Sequence, residues 1–227
     1  MRILTNEALY KRNTRLAFVA NLAGVVFLAW SVFVLFNAGQ FGMYLLLLIL
    51  GFMSVQIGSY FGRWNRRPDH ALNQALKSLD DSYTLYHFRS PVSHLLLGPT
   101  GLWILMPRNT RGTISYDKAR RRWVTKGAGL LARLSHEAIG KPIVEASLEA
   151  EALDRFLQKA WKGGNLRVQA AVAFIDPDAE VQAGNAPIPA ASAKKLKQIL
   201  LKADEKSRLT PEQNKQLRSL FEKNPSK

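Results

Sequence analysis

Leu16–Phe36 (LAFVANLAGVVFLAWSVFVLF) and Met43–Phe61 (MYLLLLILGFMSVQIGSYF) decide how this chain is to be read. Neither holds an Asp, Glu, Lys or Arg, and the uncharged stretch runs unbroken from Leu16 to Gly62. At about 1.5 Å per residue the first run reaches roughly 31 Å, the thickness of a bilayer's hydrocarbon core. Two such runs in succession are not expected of the buried helices of a soluble core. A cleaved signal peptide has a shorter apolar segment, of roughly 7–15 residues. Only Asn37-Ala38-Gly39-Gln40-Phe41-Gly42 joins the two runs, which predicts an antiparallel transmembrane hairpin. Asn21 and Gln56 would lie at similar depth in it and are expected to hydrogen-bond as an interhelical polar pair. Ala20 with Gly24, and Ser54 with Gly58, would let the backbones approach.

The flanks set the orientation. Arg2, Lys11, Arg12 and Arg15 precede the first run against Glu7 alone, and Arg63, Arg66 and Arg67 follow the second, while the connecting loop is uncharged. Cationic flanks stay inside, which predicts a multi-pass protein of the cell (plasma) membrane with both termini cytoplasmic. Trp30 and Tyr44 then belong at the far interface, Tyr60 and Trp64 at the near one. Residues 1–15 read as a basic cytoplasmic N-terminus, 16–62 as the hairpin, 63–190 as an α/β domain and 191–227 as a C-terminal helical segment.

Of the formal charge of +15 on 227 residues, the N-terminal flank (four cations against Glu7) supplies +3 and the rest of the chain +12. Such a surface favours polyanions, either nucleic acid or anionic headgroups, or serves solubility alone. There is no cysteine, which excludes disulfides, thiolate zinc sites and cysteine nucleophiles. His70, His87, His94 and His136 include no i, i+4 pair of the kind that binds zinc on a helix, and no metal site is expected. No Gly-rich loop precedes Lys-Ser or Lys-Thr, and no serine sits in a Gly-x-Ser-x-Gly elbow.

Beyond the hairpin, Pro68-Asp69 opens a helix with Leu72, Leu76 and Leu79 on one face. Asp80-Asp81-Ser82 reads as a turn. Tyr83–Arg89, Ser93–Leu97 and Leu102–Met106 read as strands, the last two joined by the turn Gly98-Pro99-Thr100-Gly101. Gly112–Tyr116 and Arg121–Val124 form a further strand pair, and Gly127 and Gly129 mark a loosely defined stretch after it. Ile143–Trp161 is an amphipathic helix with Leu148, Ala152, Phe156 and Leu157 toward the core. Arg167–Ile175 alternates as a strand, Lys194–Lys202 is helical, and Thr210-Pro211-Glu212-Gln213 caps a last helix. The expected fold is a mixed sheet with helices on both faces.

Arg108, Arg111, Lys118, Arg120, Arg121, Arg122 and Lys126 crowd one segment, with Tyr116 and Trp123 among them and Asp117 as the single acid. They fit a surface that tracks a nucleic-acid backbone, a patch facing the anionic leaflet, or a charged strand edge that discourages aggregation.

Ser93-His94-Leu95-Leu96-Leu97-Gly98-Pro99-Thr100-Gly101-Leu102-Trp103-Ile104-Leu105, followed by Arg111-Gly112-Thr113-Ile114, resembles the NERD (nuclease-related) domain. That family typically shows an Asp-His pair, an apolar strand, Gly-Pro-x-Gly, a strand ending in Glu-x-Lys, and then Gly-x-Ile. The resemblance covers about Pro68 to Ile175. It implies a restriction-endonuclease-like α/β core in which carboxylates hold Mg²⁺ and a lysine assists the attacking water. The family's Asp, Glu and Lys positions fall on Ser93, Met106 and Arg108, and the acid of its first helix on Asp69. A hydroxyl and a thioether do not replace two carboxylates, and an arginine is never a base. The expectation is a non-catalytic module that needs no cofactor. It would bind or scaffold at the cytoplasmic membrane face, with nucleic acid, anionic headgroups or a cytoplasmic protein as partner. The alternative is an active metal-dependent nuclease that uses displaced carboxylates such as Asp69, Asp80 or Asp81, with Mg²⁺ as cofactor.

Overall fold

The computed structural model describes residues 1–37, 41–62, 67–127, 139–164, 166–202 and 205–223. Residues 38–40 of the connecting loop, Arg63, Trp64, Arg66, Gly129 and His136 lie outside them. The chain divides into a helical unit, Asn6–Arg67, and an α/β unit made of Met1–Thr5 with Pro68–Lys227.

The helical unit holds α1 (Glu7–Asn37) and α2 (Phe41–Gly62). Asn6 caps α1, its Oδ1 accepting from the Leu9 N–H at 3.1 Å. Both helices are long and apolar enough to cross a membrane, and only 17% and 11% of their most apolar windows is buried within the molecule. A core helix of a soluble protein would be mostly covered, so these apolar faces ask for a lipid solvent. Tyr10, Ala17, Gly24 and Ser31 of α1 are buried at seven-residue intervals, with Asn13 and Val34 beside them. That is the seam of two helices packed like a coiled coil. Glycine permits the close approach: a Cβ on Gly24 would lie 2.6 Å from Val55, and one on Gly51 would lie 2.7 Å from Leu28. Asn21 does not pair with Gln56. Its amide lies over Gly58 instead, and both Asn21 and Gln56 are exposed. At the first turn of α1, the Arg67 guanidinium stacks 4.0 Å from the Tyr10 ring centroid and lies 3.3 Å from Glu7.

In the α/β unit a six-stranded sheet runs in the order β1-β2-β3-β4-β7-β9. These strands are β1 (Arg2–Thr5), β2 (Thr84–His87), β3 (His94–Gly98), β4 (Gly101–Arg108), β7 (Val168–Phe174) and β9 (Ala190–Ser192). β2, β3 and β4 form an antiparallel meander, and β1 with β2, β4 with β7, and β7 with β9 are parallel. A smaller sheet, β6-β5-β8, combines β5 (Gly112–Asp117), β6 (Arg122–Lys126) and β8 (Ala179–Gln182). Side chains alternate across the main sheet. Leu95, Leu97, Ile104, Val172 and Phe174 face α4 (Pro142–Ala160) and α6 (Pro211–Lys223). Leu85, Leu96, Leu105 and Ala171 face α3 (Pro68–Leu76) and α5 (Ala193–Leu201). The mixed sheet flanked by helices is as the sequence pattern predicts.

Three details differ. The N-terminal flank is partly structural, because its first residues are strand β1 of the sheet. Residues 191–227 are no separate segment, since Leu196, Leu200, Leu217 and Phe221 are each fully buried in the two cores. On α4 the inward stripe is Pro142, Ala146, Leu153 and Leu157, while Leu148 is 59% exposed.

The glycine seam gives a direct test of the helix pair. Gly24→Leu is expected to cost roughly 1–3 kcal/mol through overpacking and to lower the thermal midpoint of the detergent-solubilised chain. Gly42→Leu, where a Cβ would meet nothing within 4 Å, should leave that midpoint in place. Equal effects of the two changes would contradict the packing.

Candidate functional site

The β3–β4 hairpin turns through Pro99-Thr100 between the paired Gly98 and Gly101. Gly101 sits at φ +112, and a side chain there would strike the Ser207 carbonyl, so the turn needs glycine. The register sets Leu95 opposite Ile104. Continued by two residues, it brings Ser93 opposite Met106, and alternation turns Ser93, Met106 and Arg108 to the face crossed by α4. Glu145 and Glu149, one turn apart on α4, meet them there. The Arg108 Nη2 donates to Glu145, its Nε donates to the Ile139 carbonyl at 2.9 Å, and its Nη1 to the Pro107 carbonyl at 3.2 Å. The Ser93 hydroxyl lies 3.4 Å from Glu149 Oε1. Glu149 Oε2 is buried with no hydrogen-bond partner among the described residues. Burial pushes the Glu149 carboxyl above the usual range; the Ser93 hydroxyl opposes this, Glu145 adds to it, and Arg108 opposes it.

This cluster does not fit a magnesium ion. A hard divalent cation needs several anionic oxygens. Here Ser93 offers a hydroxyl, Met106 a thioether and Arg108 a fixed cation already bound to Glu145. Glu149, the remaining acid, is the one whose charged form burial disfavours. Among the described residues, no group of three or more His, Cys, Asp or Glu could hold a metal ion.

The other acids considered from the sequence lie elsewhere. Asp69 is fully buried on α3, with Leu72 and Leu76, against the opposite face of the sheet. Asp80 and Asp81 are exposed at the Thr84↔Leu97 end of the strands, away from Ser93. Asp80 accepts the Ser82 N–H at 2.8 Å, and Asp81 lies 2.8 Å from the Met1 amino group. Hydrogen bonding holds both carboxyls below the usual range, from the Ser82 hydroxyl for Asp80 and from that amino group for Asp81.

On the α3 face the structure assembles two histidines that sequence spacing left apart. His87 and His94 are register partners, both buried, with their Nδ1 atoms 2.7 Å apart. The His87 Nε2 is 2.9 Å from Asn73 Oδ1. With that carbonyl as acceptor, His87 carries its proton on Nε2, and the His94 Nδ1–H donates to the His87 Nδ1. Phe88, strained at φ +57, presents its ring to His94 at 4.9 Å. His70 is exposed, 3.9 Å from Asp69.

The seven basic residues separate. Arg108 is held by Glu145. Arg111 pairs with Asp178, and it and Lys126 lie at the open end of the β5–β6 hairpin. Lys118, Arg120, Arg121 and Arg122 gather, exposed, at the closed end. Asp117 Oδ1 accepts the Arg120 N–H at 3.0 Å within the turn. Arg121 sits at φ +49, where a side chain costs roughly 1 kcal/mol relative to glycine. Tyr116 and Trp123 pack edge to face at 5.4 Å, and Trp123 continues onto Phe174 at 5.7 Å.

Glu145 and Glu149 were legible only through the phase of α4. The spacing 142, 146, 149, 153, 157 is one helical stripe, and choosing its members by hydrophobicity selects Leu148 over Glu149. Comparison with protein-family models, with curated proteins and with solved structures finds no match.

The histidine pair makes stability depend on pH. Burial, reinforced by His87, holds His94 well below its usual 6.5. A base depressed in the folded state contributes stability above its unfolded pKa and loses it as pH falls. Glu149, shifted upward, works in the opposite sense, losing its contribution as pH rises from its ordinary 4.5. The difference between variants therefore isolates the histidine. Between neutral pH and about pH 5, the thermal midpoint of the native chain should fall more steeply than that of His94→Gln. Identical slopes would contradict the neutral pair.

Proposed function

We propose that this chain is a membrane-anchored, NERD-like module with a restriction-endonuclease-like core, multi-pass in the cell membrane with both termini cytoplasmic. It binds or scaffolds at the cytoplasmic face and does not cut nucleic acid. The run of α3, β2–β4, α4 and β7 supports this reading, since it follows the element order that the resemblance implies. The pairing of β1 with β2 supports the orientation. The segments before and after the apolar helices belong to one sheet, so they share one side of any bilayer, and their cationic flanks favour the cytoplasm.

The observation that carries the non-catalytic reading is the fixed guanidinium of Arg108. It occupies the position where the resemblance expects a lysine, and it neutralises the nearest carboxylate, Glu145. Glu149 is then the one carboxylate of the cluster not paired with Arg108, and one acid is fewer than a hard divalent cation needs. The rival reading of a nuclease with displaced carboxylates would have to rely on Glu145 and Glu149, because Asp69, Asp80 and Asp81 lie apart from Ser93.

Full-length protein incubated with DNA or RNA and Mg²⁺ or Mn²⁺ is expected to leave both intact. Metal-dependent cleavage that disappears in Glu149→Gln would establish the rival instead.

A further inference from the structure

The closed end of the β5–β6 hairpin concentrates Lys118, Arg120, Arg121 and Arg122 at one exposed point. We propose that this turn docks onto anionic lipid headgroups of the leaflet in which the chain is anchored. The inference rests on the membrane-anchorage part of the reading above and is independent of whether the core cuts nucleic acid.

The four cations are poorly balanced. Asp117 is the one acid within the turn, and it is engaged with the Arg120 N–H at 3.0 Å and lies 3.9 Å from Arg120 Nε. Arg121 keeps its charge in a left-handed backbone conformation that glycine or asparagine would adopt with less strain. Strain retained at a charged, exposed tip points to a use for that charge.

The shape suits a headgroup layer better than a nucleic acid. Arg111 and Lys126 lie at the other end of the hairpin, and Arg111 is paired with Asp178. The cations therefore do not form a track along which a phosphate backbone could run. The Tyr116 and Trp123 rings, which could stack on bases, are packed on each other and on Phe174. A compact group of cations needs only a plane of negative charge, and each Lys or Arg brought to such a surface contributes to binding.

Chain connectivity supplies the rest. Asn6 alone separates β1 from α1, and residues 63–67 alone separate α2 from α3. Docking is thus intramolecular once the helices are inserted, at the high effective concentration that short tethers give. Lys11, Arg12 and Arg15, exposed on the first turns of α1, add cations next to the same leaflet.

The test uses the full chain in nanodiscs of phosphatidylcholine, with or without phosphatidylserine. Because the chain has no cysteine, Ala119→Cys accepts a single fluorophore at the tip, read by quenching from headgroup-spin-labelled lipid. Quenching is expected in discs with phosphatidylserine and not in phosphatidylcholine alone, and it should decline with added salt. Each cation removed should weaken the docked state about fivefold, and Arg120→Gln, Arg121→Gln and Arg122→Gln together on the order of 100-fold. Absent quenching in both discs, or equal quenching in both, would overturn the proposal. So would displacement of the tip by a single-stranded or duplex oligonucleotide at equal phosphate concentration, which would assign the turn to nucleic acid. Resistance to alkaline extraction is scored on the same sample. Protein that is stripped from the bilayer refutes the anchorage reading as well, whereas protein that stays inserted and is not quenched refutes docking alone.

Discussion

The parallel pairing of β1 with β2 constrains everything between them. Asn6–Arg67 is bracketed by two segments of a single sheet, with Arg2 opposite Thr84 and Thr5 opposite His87. Whatever course α1 and α2 take, the chain has to return to the sheet it left. If these helices cross a bilayer, they do so an even number of times, and a two-helix hairpin is the smallest solution. Glycines at 24, 51 and 58 make that hairpin tight, and Arg67 stacks on Tyr10 at the first turn of α1. Local packing and long-range strand pairing thus favour the same arrangement, as expected of a sequence that specifies one fold.

The α/β unit uses its polar residues in a second, quieter way. At the His87–His94–Met106 end of the meander, each face of the sheet carries a polar cluster, the first partly exposed and the second centred on two buried histidines. One is Ser93, Arg108, Glu145 and Glu149; the other is His87, His94 and Asn73. Buried polar groups are retained at little cost only when they are hydrogen-bonded, and most of these are bonded to one another. The exception is Glu149 Oε2, and burial holds that carboxyl above its usual range. A lysine in place of Arg108 would offer a titratable amine and a looser grip on Glu145. Arginine, held by Glu145 and the Ile139 carbonyl, fixes the geometry.

Much of this was legible in the sequence. The apolar runs fix the helices because no other solvent suits so many uncharged residues in a row. Alternation in Leu95–Leu97 and Leu102–Met106, with Gly-Pro-Thr-Gly between them, fixes the hairpin. Three features were hidden for physical reasons. Arg2–Thr5 is too short for any period to declare a strand, and only its partner β2, far along the chain, gives it one. The inward turn of Glu149 contradicts its polarity, so a hydrophobic stripe passes it by. The expected Asn21–Gln56 pair rests on depth alone, whereas helix phase decides which amide borders the partner helix; Asn21, though exposed, lies over Gly58.

The central claim is that the segment before the apolar helices and the domain after them share one sheet in the membrane-embedded protein. Arg2→Cys combined with Thr84→Cys tests it most directly, since these positions are register partners and the native chain has no cysteine to interfere. Mild oxidation of intact membranes is expected to join the two cysteines within one chain, and neither should then react with an impermeant maleimide. Two free thiols, labelled from opposite sides of the membrane, would contradict the account.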